Sequence, residues 1–96
     1  MKNKEQMLQR LEALINEGQY VLNDPLLVDV VGSEAHLRMQ TWLGRAVLVI
    51  NVALPAAHPF RRQAAYYLAG GGVLGVQGMM SLLVGLAEEM RAGTFD

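Results

Sequence analysis

Three breaks in the chain decide what it can fold into. Asn23-Asp24-Pro25, the pair Pro55 and Pro59, and the run Gly70-Gly71-Gly72 each interrupt a helix, and the stretches between them are of helix length. Proline removes a backbone donor and drives the residue before it out of the helical region. Glycine is the weakest helix former after proline. The uninterrupted stretches predict helices over roughly 3–22, 34–54, 59–68 and 73–92. The expected fold class is all-α: a compact bundle of about four helices forming one domain, 1–96.

Each stretch carries its own pattern. In the first, Met7, Leu8, Leu11, Leu14, Ile15, Val21 and Leu22 recur at helical spacing with Gly18 on the same stripe. Glu5, Glu12 and Glu17 alternate there with Lys4 and Arg10 on the solvated faces. Leu26–Val31 is rich in β-branched residues but has no second strand to pair with. It reads as an extended segment or a short helical turn packed on the core. Ser33 is a candidate N-cap for the second helix, and Glu34 suits its dipole. From Ala46 to Leu54 the apolar residues run round nearly the whole circumference, which predicts a central helix buried on all sides. Pro59 fits the first turn of the third helix. Gly93 fits the C′ position of the fourth.

Composition bears on partners. Hydrophobic residues make up 52% of the chain and charged ones only 18%. That surplus exceeds what one small core hides, so a homo-oligomer or docking on a partner protein or domain is expected. The net charge of −1 offers no electrostatic footprint for nucleic acid. With no cysteine, disulfides, thiolate zinc sites and thiol catalysis are excluded. Met1 to Gln6 is charged and runs into an amphipathic stretch, unlike a secretory leader, and a cytoplasmic location is expected. The uncharged stretch 63–87 is long enough to span a bilayer, the alternative being a buried helix after a glycine loop.

Candidate chemistry is sparse. His36 lies at a helix start and His58 in a proline loop; they share no metal-ligand spacing, and a surface or capping role suits each better than a metal or general-base role. Ser33 and Ser81 lack a nucleophile-elbow setting. Glu88 and Glu89 are adjacent and point to different helix faces. The glycine run is followed by no lysine, so it is no P-loop but a hinge. No catalytic residue, metal or cofactor is expected. The segment from His58 to Tyr67 joins two arginines, a histidine and three aromatics, with Arg38 and Arg45 adding charge from the second helix. His58, Arg61, Arg62 and Tyr66 are the candidate small-ligand residues, because guanidinium forks and stacking rings suit a nucleotide or phosphate. On the last helix Gly72, Gly75 and Gly78, then Ser81 and Gly85, form a narrow track that would admit a close neighbour. Its methionine-rich stripe, Met79, Met80, Leu83, Leu86 and Met90, is the candidate docking surface.

Arg10–Gly18 (RLEALINEG), the tryptophan helix Trp42–Ala46, His58-Pro59-Phe60 and the closing Leu82–Phe95 occur in an order that resembles a known pattern. It is similar to the small helical module found N-terminal to effector domains in bacterial multidomain proteins, including ones linked to nucleotide signalling and phage defence. The resemblance implies a non-catalytic module that assembles or regulates an effector, with the chain of such proteins continuing past Thr94-Phe95-Asp96. A stand-alone relative would instead be an inhibitor or a nucleotide sponge. The chain departs from the pattern at the glycine cluster and in its apolar second helix.

Overall fold

Helix formation follows the breaks. In the computed structural model, which describes residues 3–24 and 34–93, the helices are α1 (Lys4–Asn23), α2 (Glu34–Ala53), α3 (Pro59–Gly70) and α4 (Gly72–Arg91). The segment Leu26–Val31 and the Ser33 cap lie outside the described residues. Pro59 occupies the first turn of α3 as expected. The hinge shrinks to one residue. Gly70 continues α3, and Gly71, at φ 60°, donates its N–H to the Tyr67 carbonyl before α4 begins. That left-handed φ is a position that glycine fills without strain. Gly93, at φ 81°, follows the end of α4 and donates to the Met90 carbonyl at 3.1 Å.

Consecutive helices run antiparallel. Asp24 pairs with Arg38 and Glu17 with Arg45, so α1 and α2 descend past each other in opposite senses. The Arg61 side chain reaches back to Asn51, which sets α3 against α2 in the same manner. Arg91 meets Glu12 at 2.8 Å, and Met80 lies against Gly18, so α4 runs antiparallel to α1. The result is an up-down-up-down bundle in which α4 touches all three other helices while α1 and α3 stand apart. Its long axis spans 43 Å and its thinnest direction only 15 Å, two helix layers deep.

The core is closed around Trp42. Its indole is fully buried, and Nε1–H donates to the Leu14 carbonyl at 2.8 Å. A buried tryptophan needs such a partner for its N–H. The ring also fills the space that a side chain at Gly18 would claim: a Cβ there would come within 2.6 Å of it. Leu11, Met39, Leu43, Ile50 and Met79 complete the fully buried layer around it.

Two expectations are corrected here. The methionine-rich stripe of α4 is the core rather than a docking surface. Met79, Leu83, Leu86 and Met90 are buried against the other helices of the same chain, and Met80 is half-buried against Gly18. The second correction concerns α2, which is not buried on all sides. Leu37, Leu48 and Val52 are 58%, 64% and 69% exposed. Three neighbouring helices cover its inner arc, and nothing in the chain's described residues reaches the outer one.

The glycine track has the role that its spacing predicted at Gly75, Gly78 and Gly85, while at Gly72 a Cβ would meet nothing within 4 Å. A Cβ on Gly75 would meet the Tyr67 carbonyl oxygen at 2.7 Å, and one on Gly78 would overlap the Tyr67 ring. Gly85 faces the Phe60 ring at 3.8 Å. The track therefore seats two of the three aromatics of α3, Phe60 and Tyr67. Ser81 lies off it: the side chain is exposed, and its hydroxyl donates to the Gln77 carbonyl at 3.2 Å.

Candidate functional site

The four residues expected to hold a small ligand divide into two pairs. His58 is the N-cap of α3: its Nδ1 accepts the Phe60 N–H at 3.1 Å, and its ring meets the Phe60 ring edge-on at 5.1 Å. Arg61 points inward along α2. Its Nε donates to Asn51 Oδ1 at 3.1 Å, and Nη1 reaches the Leu54 carbonyl at 3.4 Å. A guanidinium there satisfies a carbonyl that the end of α2 leaves open. Arg61 is thus engaged in holding α3 on α2, and His58 in capping the start of α3.

Arg62 and Tyr66 face outward. They line a shallow depression with Pro59, Gln63 and Tyr67. Tyr66 is 75% exposed, and its ring meets the Tyr67 ring edge-on at 5.7 Å. One guanidinium and one exposed ring are present, without the second arginine that a phosphate clamp on this segment requires. Of the arginines that gave α2 and α3 their basic balance, Arg38 is paired with Asp24 and Arg45 with Glu17. Among the described residues no three His, Asp or Glu side chains converge as a metal site would need.

A second candidate surface lies elsewhere, on the outer face of α2. Leu37, Thr41, Gly44, Leu48 and Val52 fall on one helical stripe at spacings of four, three, four and four residues. This is close to the seam spacing of a helix that packs on another helix. Two grooves flank it, both between α1 and α2. The groove beside Leu37 and Thr41 is walled by Tyr20 and Val21 and holds Glu17, Asp24 and Glu34 against a single arginine, Arg38, a formal balance of −2. The groove beside Leu48 holds Arg10 and Arg45 and no acid. Arg45 is already paired with Glu17 of the first groove, so net of that pair the first groove keeps a balance of −1 and the second a balance of +1, on Arg10. Arg10 has no ion-pair partner among the described residues.

In the sequence this stripe merges into a helix that reads as apolar all round. A separating signal is nonetheless present. Leu37, Thr41, Leu48 and Val52 lie within about a sixth of a turn of one another, roughly opposite Met39, Ala46 and Ile50. Two apolar stripes on opposite faces differ from one wide stripe, because a single core takes only one of them.

α4 is long and apolar enough to cross a membrane by length and composition, yet 44% of its most apolar window is buried inside the bundle. The core helix of a water-soluble bundle has the same character. No protein-family model, curated protein or solved structure matches the chain.

Proposed function

We propose that this chain is a non-catalytic helical module that works by association, with the outer face of α2 as its docking surface. The observation that supports this is the exposed aliphatic stripe of Leu37, Leu48 and Val52. Such residues scattered singly are ordinary, but a row of them along one helix marks an interaction surface. Fully burying one aliphatic side chain is worth about 1.5–3 kcal/mol. At the observed exposures the stripe holds about 3–6 kcal/mol in one copy, and twice that when two such faces meet. Association costs about 4–15 kcal/mol before any gain appears. The balance describes a reversible, concentration-dependent complex rather than a permanent one. If the module is joined to an effector, as the sequence resemblance implies, pairing two copies links two effectors in one complex.

The test is solution mass by light scattering across a wide concentration range, for the wild type and for Leu48→Glu. The expected result is a mass that rises with concentration in the wild type and stays monomeric in the variant, with helix content unchanged. A wild type that is monomeric throughout refutes self-association.

A further inference from the structure

Resting on that reading, the geometry points to one arrangement: a second copy packs antiparallel on α2, about a two-fold axis that passes between Gly44 and Arg45. Three independent features of the face agree on it.

The first is the symmetry of the stripe. The midpoint of Leu37 and Val52 falls between Gly44 and Arg45, and so does the midpoint of Thr41 and Leu48. Reversing the helix about that point superposes large on large at the ends and Thr41 on Leu48 further in. A two-fold contact requires a surface that is complementary to itself in this way.

The second is Gly44. A Cβ there would meet nothing within 4 Å, so the bundle itself makes no use of the glycine. Gly18, Gly75 and Gly78 each admit a neighbour of the same chain, whereas Gly44 opens to solvent. Glycine in mid-helix is unfavourable relative to alanine. A close backbone approach at the centre of a helix pair is a use that accounts for it.

The third is charge. An antiparallel two-fold axis lying in the contact plane keeps α1 on the same side in both copies. The level of Leu48 in one copy then faces the level of Thr41 in the other. The groove with Arg10 meets the groove with Asp24 and Glu34 of the second copy, and the same happens again across the axis, while Arg45 and Glu17 stay paired within each chain. A parallel two-fold would place α1 of one copy over α3 of the other, and neither groove would meet its complement. Opposed charge at a rim selects orientation more than it adds affinity.

The absence of native cysteine makes the arrangement directly testable by single-cysteine variants. Leu37→Cys and Val52→Cys both alter exposed side chains. In the antiparallel pair the two copies of residue 37 lie about 22 Å apart along the helix axis. A disulfide needs Cα atoms within about 7 Å. A mixture of the two variants should therefore cross-link under mild oxidation, and each variant alone should not. Gly44→Leu is the companion variant. It should keep its helix content and lose at least about tenfold in dimer affinity, a difference of about 1.4 kcal/mol. Cross-linking of Leu37→Cys with itself while the protein dimerises overturns the antiparallel arrangement and leaves the associating module standing. A dimer that Gly44→Leu does not weaken overturns the central close approach. A protein monomeric at every concentration overturns both the arrangement and the reading beneath it.

Discussion

Replacing Gly75 or Gly78 by alanine asks whether α3 and α4 are as close as the structure places them. In an exposed helix either change would stabilise by up to about 1 kcal/mol. Here both meet Tyr67, but in different ways. At Gly75 the obstacle is the Tyr67 backbone carbonyl, 2.7 Å from the new Cβ, whereas ordinary contact begins at 3.4 Å. The two helices must separate by about 0.7 Å, and that carbonyl also accepts the Gly71 N–H at the joint. At Gly78 the obstacle is the Tyr67 ring, which is a side chain and can be removed. Overpacking of this kind costs about 1–3 kcal/mol. Net of the helical gain, each single variant should lose about 1–2 kcal/mol. Tyr67→Ala separates them. In that background Gly78→Ala should become stabilising by about 0.5–1 kcal/mol, while Gly75→Ala should still destabilise. Urea denaturation at fixed protein concentration, followed by the fluorescence of the single tryptophan, measures all four differences. Equal effects of Gly78→Ala with and without the Tyr67 ring would refute the contact. Rescue of Gly75→Ala by Tyr67→Ala would show that the ring, not the backbone, sets the spacing.

Other consequences are open to simpler measurement. Arg61→Ala should cost about 1–2 kcal/mol in thermal unfolding, since it strips Asn51 and the Leu54 carbonyl of a partner, whereas Arg62→Ala should stay within about 0.5 kcal/mol. Trp42→Phe should lose about 2 kcal/mol, through the hydrogen bond to Leu14 and the void beside Gly18, with unfolding followed by circular dichroism. Arg10→Glu should weaken self-association and change its dependence on salt while leaving the melting temperature of the dilute protein unchanged, as sedimentation at two ionic strengths would reveal. Glu12→Gln should alter stability by less than about 1 kcal/mol, because the Arg91 pair is half exposed on both sides.

Much of the architecture is legible in the amino-acid sequence, because its determinants are local. Pro25, Pro55 and the glycine run punctuate the helical stretches and Pro59 opens one, and the helix ends beside them fall within two residues of those breaks. The boundary that differs, Gly70 in place of Leu68, does so because glycine tolerates helix when the next residue takes the positive φ. The seat of Tyr67 on Gly75 and Gly78 is half legible. The spacing announces a close neighbour, but which residue fills a groove depends on how α3 is laid against α4. The surface is harder to read for a related reason. Met79 and Leu48 are both large and apolar, and only the face of its helix that the packed bundle covers decides which of them meets water. α2 and α4 each touch all three other helices; Met79 faces into them, whereas Leu48 lies on the arc of α2 that none of them covers. The arginine-aromatic segment divides on orientation: Arg61 and Arg62 are adjacent, so they point to different faces of α3, and Arg61 is taken by the end of α2.

An even number of antiparallel helices returns the chain to the end from which it set out. Glu12 touches Arg91, so Asn3 and Gly93 both emerge at the same pole of the bundle, beyond that contact. A two-fold that reverses α2 sends the poles of the two copies in opposite directions. Whatever is attached to the paired modules is then held apart by about the length of a twenty-residue helix, roughly 30 Å. The pair would act as a spacer of defined length with its cargo at both tips, and a parallel pair would act as a clamp.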